Sequence, residues 1–297
     1  MSQLDTLPGN SRVKFFLKKL LKQTPHALLF EGPKGVGKGR FAKAFAQDLL
    51  QSLKKEHPDF FELFPEGKAL LHPMHAIRSF IKATQMPPFE ADRKIFLIHD
   101  ADRMLPSSAN ALLKTLEEPV SNVTIILISS HPQSLLPTVI SRCFRVPFVF
   151  LTEEELINHL HPQKSEQEAR AIALLSHGSL EKAETLAEQE TDPLLNKMFD
   201  LGICLLNREF PSLKQFGDIK GSEEAFSYLF YFFRDLHLLK IDADSSLLFF
   251  RDKEQALKEC LKCSLPPLDV IQEKMERIYR ALELHIPFSH SLCEFYQ

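Results

Sequence analysis

The first half of the chain alternates two patterns. Short runs of aliphatic and aromatic residues, bounded by polar, Gly or Pro positions, occur at 27–30, 95–98 and 124–128. Continuous apolar runs of that length predict strands covered on both faces, as in a parallel sheet. Residues 60–64 and 144–150 carry the same signal and add two more strands. Between the runs the period changes to that of a helix. Residues 40–53 place Phe41, Ala44, Phe45, Leu49 and Leu53 near one face. Residues 107–118 align Leu112, Leu113 and Leu116, with Ser107 or Ser108 as the expected cap and Pro119 as the stop. Strands alternating with helices predict a parallel α/β sheet with crossover helices.

From Thr152 onward the pattern is helical throughout. Thr152 followed by Glu155 is a capping-box start. A second helix follows at 165–176, ended by His177-Gly178, and a third at 179–190. Pro193 marks a boundary. Residues 194–297 read as a larger helical domain with breaks at Pro211, 217–221 and Pro266-Pro267. The expected organisation is an α/β domain at 1–150, a small helical unit at 151–192 and an all-α domain at 193–297. A length of 297 residues suits two or three domains.

Charge narrows the function. With a net charge of −3 the chain lacks the basic excess of a protein that holds DNA alone. No uncharged apolar stretch is long enough to span a membrane, and the N-terminus has no secretory pattern. Five scattered cysteines, Cys143, Cys204, Cys260, Cys263 and Cys293, suit reduced thiols in the cytoplasm. Cys260 and Cys263 have metal-pair spacing but lack a second pair, so structural thiols are expected. The aromatic run 228–233 has no interleaved basic residues, which favours a core or contact stripe over a base-stacking platform.

The strongest chemical signal is Gly32-Pro33-Lys34-Gly35-Val36-Gly37-Lys38-Gly39, between a predicted strand and a predicted helix. This is a P-loop in its proper context: glycines turn backbone N–H groups toward a phosphate and Lys38 supplies charge. The residue after the lysine ordinarily carries a hydroxyl for Mg²⁺, but Gly39 has none. A second defect lies at the end of the 95–98 strand. The acidic Mg²⁺ ligand expected there is His99, and Asp100 stands where the longer Glu would be. Mg²⁺ prefers oxygen, so His99 is a poor ligand, and Asp102, two residues on, is expected to point elsewhere. Two wrong positions in one site predict that hydrolysis has been lost while the fold was kept.

The P-loop, His57-Pro58-Asp59, residues 100–104, residues 109–119 with their Leu-Glu-Glu-Pro ending, and Ser141-Arg142-Cys143 come in one order. In that order the chain resembles the AAA+ subunits of the bacterial DNA polymerase III clamp loader, the delta-prime type most of all. The likeness covers about residues 7–150. It implies a RecA-like AAA+ P-loop domain, a helical lid and an all-α collar that joins subunits. It implies gamma/tau and delta type partners, with the sliding clamp and primed DNA reached through the complex. Delta-prime in this family is a stator with a degenerate ATP site. Carried over residue by residue, Arg142 is the arginine finger that reaches a neighbour's γ-phosphate, and Ser129 and Ser130 hold the place of the polar sensor. The resemblance also implies a four-cysteine zinc module after the P-loop helix, but residues 51–56 contain no cysteine, so no zinc is expected. Where the family's lid carries an arginine after Gly-Ser, this chain has Glu181 after Leu180. ATP or ADP is expected only as a residual ligand, and no cofactor is required. The alternative function is a catalytically active gamma/tau-like ATPase using Asp100 and Asp102.

Overall fold

The structure, a computed structural model, describes residues 2–54, 57–67, 69–118, 120–161, 163–188, 193–207 and 223–283. The predicted features at Pro119, Glu190, Pro211, 217–221 and Cys293 lie outside them. The chain divides into two compact units, Met1–Leu186 and Ala187–Gln297.

The first unit is built on five parallel strands: β1 (Ala27–Glu31), β2 (Phe60–Leu63), β3 (Lys94–Ile98), β4 (Val123–Ser129) and β5 (Phe144–Pro147). Their order across the sheet is β2-β3-β4-β1-β5. β1, β3 and β4 are buried along their whole length, which is why the sequence shows them as unbroken apolar runs. β5 is shorter than the expected 144–150, because after Pro147 the chain leaves the sheet. Alternate residues face two layers. One face packs Leu29, Phe96, Ile98, Ile125 and Leu127 under helices α3 (Met74–Thr84) and α4 (Pro106–Glu117), with Ile77, Phe80, Leu112 and Leu116 from the helices. Toward the P-loop helix α2 (Lys38–Leu50), Phe148 packs its ring against Phe30 and edge-on to Phe41.

The helices follow local chemistry. α2 starts at Lys38, directly after Gly37 at φ 91°, and has no side-chain cap, so its first N–H groups stay available to the loop. α4 corrects one expectation. Neither Ser107 nor Ser108 caps it; Leu105 occupies the N-cap, Pro106 takes the first helical position, and Ser108 is buried with its hydroxyl toward the His72 carbonyl. Proline suits that place because its missing N–H has no intrahelical partner to lose. Helices α1 (Ser11–Leu20) and α3 go beyond the sequence expectations, as does the short α5 (Pro137–Ile140). After β5 the expected capping box is present, Thr152 with Glu155 opening α6 (Glu153–Leu160), and a second one, Ser165 with Glu168, opens the expected helix α7 (Glu166–Ser176). α8 (Leu180–Glu188) follows His177 and Gly178, both at positive φ. Residues 151–186 belong to the first compact unit.

The second unit is helical among its described residues: α9 (Pro193–Leu206), α10 (Glu223–Lys240), α11 (Glu254–Cys260) and α12 (Leu268–Glu283). Tyr228, Phe232 and Phe233 of the aromatic run are buried, and Phe199 meets Phe232 edge-on, so these rings form core. Gly202 is required by that packing, since a Cβ there would lie 2.5 Å from the Phe232 ring. No described helix is long and apolar enough to cross a membrane.

Asp59, in the His-Pro-Asp segment just before β2, is fully buried and accepts the backbone N–H groups of Phe89, Glu90 and Ala91 at 2.6–2.9 Å. Burial alone would raise its carboxyl; the three N–H donors outweigh that and hold it below the ordinary aspartate range. A lowered carboxyl contributes stability that is present above the unfolded pKa and lost as pH falls through the folded one. Asp59→Ala is therefore expected to cost about 2–3 kcal/mol at neutral pH. The difference from wild type should shrink below about pH 4, which denaturant unfolding at a series of pH values measures.

Candidate functional site

The sheet order brings the C-terminal ends of β1, β4 and β3 side by side. Glu31 pairs with Ser129, and Ile98 with Leu127. Crevices beyond the carboxyl ends of such strands are where open α/β folds bind ligands. A cleft of about 390 Å³ opens there, lined by the P-loop residues Lys34, Gly35, Gly37, Lys38 and Gly39 together with His99, Asp100, Ser130 and Glu181. Of the expected nucleotide-binding residues Gly32, Pro33, Lys34, Gly35, Val36, Gly37, Lys38 and Gly39, the buried Val36 belongs to the core beneath the loop. Gly32 and Pro33 act through their carbonyls.

Those carbonyls hold Lys38. Its Nζ donates to Gly32 and Pro33 oxygens at 2.7 and 2.6 Å and to Ser130 Oγ at 3.1 Å. Burial pushes its ammonium down to about 8, opposed by the charges of Asp100, Asp102 and Glu181. The lysine thus spends its donors on its own loop.

Gly39 and His99 face each other. A Cβ added at Gly39 would meet His99 Cε1 at 3.5 Å, so the imidazole stands beside the place where a metal-binding hydroxyl would project. The ring is pinned there. Its Nε2 bonds Glu62 Oε1 at 2.9 Å, its face stacks on Phe64 with centroids 4.1 Å apart, and Lys43 lies 3.1 Å from the same Glu62 oxygen. Asp102 is likewise committed. It accepts the Ser129 hydroxyl at 2.6 Å and the Ser130 N–H at 3.2 Å, tying the turn after β3 to the end of β4. Ser129 is fully buried in that tie, so of the two expected sensor serines only Ser130 reaches the cleft. Asp100 lines the cleft from a left-handed backbone conformation at φ 45°. His72, paired with no carboxylate, donates Nε2–H to the His99 carbonyl at 2.7 Å, and burial lowers its pKa.

The helical segment after β5 closes the cleft. The Glu181 N–H donates to the Gly35 carbonyl at 3.0 Å, and a Cβ at Gly35 (φ 79°) would lie 2.1 Å from Ser179 Oγ. Arg40 of α2 makes a two-pronged pair with Glu184 of α8, and His159 of α6 bonds the same carboxylate at 3.0 Å. Burial would raise Glu184, but these partners hold it below the usual range. Glu181 presents its carboxylate to the cleft in the region where a phosphate-binding loop attracts anions.

Arg142 is outside this cleft. It follows α5, where its Nη1 donates to the Thr138 carbonyl at 2.9 Å and its Nη2 lies 2.5 Å from Glu117 Oε1 at the end of α4. Cys143 beside it is packed against the sheet core, and burial pushes its thiol up to about 12, which keeps it unreactive. Among the described residues no group of three or more His, Cys, Asp or Glu could hold a metal. Cys263 Sγ instead lies 3.3 Å from Asn207 Oδ1. The clasp of Arg40 and Glu184 and the Glu62 anchor have no motif of their own, while Glu117 stands in the Leu-Glu-Glu-Pro ending without its pairing to Arg142 being readable there. Glu62 is the most readable of them, as the one carboxylate in an otherwise apolar strand, Phe-Phe-Glu-Leu.

Comparison with known proteins agrees with this geometry. Residues 10–151 match a family model described as DNA polymerase III, delta subunit. The DNA polymerase III subunit delta' of Bacillus subtilis is 27% identical over 259 residues, 79% of this chain and 78% of that protein. The delta' subunit of Pseudomonas aeruginosa is 32% identical over 188 residues, 56% of this chain and 57% of that one. Among solved structures, a DNA polymerase III gamma subunit-related protein of Thermotoga maritima superposes with a TM-score of 0.50 at 18% identity, covering 94% of this chain and 99% of that one, which shows the fold. Over residues 10–151 the chain is similar to the delta-type subunits of DNA polymerase III, and over most of its length to the delta' subunit of Bacillus subtilis.

Proposed function

We propose that this chain is a stator of the clamp loader, a subunit that does not hydrolyse ATP itself and that offers Arg142 to the ATP site of a neighbouring subunit. The observation that carries the reading is the pair of Gly39 and His99. One position supplies no side chain, and the other supplies an imidazole already bonded to Glu62. Mg²⁺ demands near-octahedral oxygen ligands, and this donor set does not fit it. Asp102, the carboxylate the active alternative would need, is tied to Ser129 and Ser130. Glu181 adds negative charge where the nucleotide's phosphates would lie. ATP or ADP remains a residual ligand at most.

Arg142 suits the second half of the proposal because a guanidinium is always charged and can bridge two oxygens of a transferring phosphoryl group. In this reading the partners are gamma/tau and delta type subunits, with the sliding clamp and primed DNA engaged by the assembly in the cytoplasm. The all-α second unit is the part assigned to subunit joining.

The isolated chain with Mg²⁺ and ATP is expected to show no turnover above that of its Lys38→Ala variant; turnover lost in the variant would make it a working ATPase. In the full assembly, Arg142→Ala is expected to slow the site it serves by about 10²-fold or more, and unchanged turnover would remove the trans role. Lys38 gives a third measurement. A lysine whose folded pKa is lowered to about 8 opposes folding fully below that pH, and the penalty fades as pH rises toward the unfolded value of 10.5. Lys38→Met is therefore expected to stabilise the ligand-free chain by about 1–3 kcal/mol at pH 7 and by less at pH 10, read by denaturant unfolding at the two pH values.

A further inference from the structure

The guanidinium of Arg142 is not a loose side chain. Three acceptors hold it: the Thr138 carbonyl at 2.9 Å and Ser141 Oγ at 3.4 Å, both on Nη1, and Glu117 Oε1 at 2.5 Å from Nη2. An arginine has five N–H donors. These contacts commit Nη1 to Thr138 and Ser141 and pair Nη2 with Glu117, and among the described residues no acceptor is bonded to Nε. The Arg142 side chain is 33% exposed and that of Glu117 47%, so the pair sits at the surface with part of the arginine still open to a partner.

Glu117 is an odd residue for its place. It is the last residue of α4, where the helix dipole is negative and a cation is the favoured neighbour. Glu118 follows it, so two carboxylates crowd one helix C-terminus. Helix stability does not account for an acid there. A surface ion pair contributes little to folding either. What the carboxylate does supply is direction. It holds Nη2, while the carbonyl of Thr138, in the first turn of α5, holds Nη1. A free arginine would have to give up its rotamer freedom when it meets a phosphoryl group; one held beforehand has already done so.

We propose that Glu117 is a positioning residue for Arg142, holding the guanidinium in a fixed orientation for the anionic phosphoryl group on a neighbouring subunit. The proposal rests on the trans role of Arg142 argued above. It assigns no contact with the phosphate to Glu117.

The test is steady-state ATP turnover by the complete assembly containing the full-length chain, with ATP varied. The quantity read is the part of kcat that depends on Arg142, taken as the difference between wild type and Arg142→Ala. Glu117→Ala is expected to lower that part roughly tenfold, a size set by the rotamer entropy of one arginine, with KM for ATP unchanged. Glu117→Gln keeps an acceptor at the same reach and should recover most of the loss. In the Arg142→Ala background, Glu117→Ala should have no further effect. The unfolding midpoint of Glu117→Ala should stay within a few degrees of wild type, which separates positioning from loss of fold. Wild-type kcat in Glu117→Ala assemblies, while Arg142→Ala slows turnover, overturns the role of Glu117 alone. A further loss from Glu117→Ala in the Arg142→Ala background also overturns it. Wild-type kcat in Arg142→Ala assemblies overturns the trans reading and this inference with it.

Discussion

The close approach of α8 to the P-loop governs the first unit. At Gly35 the space above the loop is too small for a methyl group, because Ser179 Oγ occupies it, and the Glu181 N–H is bonded to the Gly35 carbonyl. Packing this tight exists only while the loop keeps its left-handed glycines and the chain after β5 returns over it. Gly32 and Gly178 serve the same geometry: Cβ atoms there would meet the Phe148 carbonyl at 2.3 Å and the Phe150 side chain at 2.6 Å. The clasp between Arg40 and Glu184 then locks the approach from the side. A P-loop is usually held for the sake of a phosphate. Here the same backbone is held by protein contacts.

That substitution explains the chemistry of the cleft. A loop of N–H groups and a lysine has a positive field, which a nucleotide ordinarily balances. In this chain the balance is internal. Lys38 turns to two loop carbonyls and Ser130, and Asp100, Asp102 and Glu181 supply the negative charge. The metal position is treated alike: His99 is anchored by Glu62 and Phe64 rather than left as an open ligand. Lys38, His99 and Asp102 each have a structural partner, so the sequence defects at 39 and 99 are not isolated. They belong to one rearranged network.

How much of this could be read from sequence follows from how local each cause is. The three central strands were legible because burial on both faces leaves a continuous apolar run, and the capping box at Thr152 because both partners lie within one turn. The P-loop was legible because its glycines are a backbone requirement. The cap of α4 was misread because two serines look like caps, while Pro106 one residue earlier already satisfies the helix start. The pairings of the functional groups were not legible. Glu62 stands 37 residues from His99, and Glu184 stands 144 from Arg40. Such pairs are set by the order of strands in the sheet, and no spacing along the chain encodes them.

The same strand order links the P-loop cleft to Arg142. β1 lies between β4 and β5, so the strand that carries the P-loop is also the one that β5 pairs with, just after Arg142. Glu31, the last residue before Gly32, reaches across to Arg145 on β5 at 2.8 Å and is itself nearly buried. Disorder in the loop would therefore be felt at β5 and in the turn that precedes it. A subunit that no longer hydrolyses ATP would still need a well-packed P-loop, because the loop's packing fixes the strand beside which Arg142 is displayed.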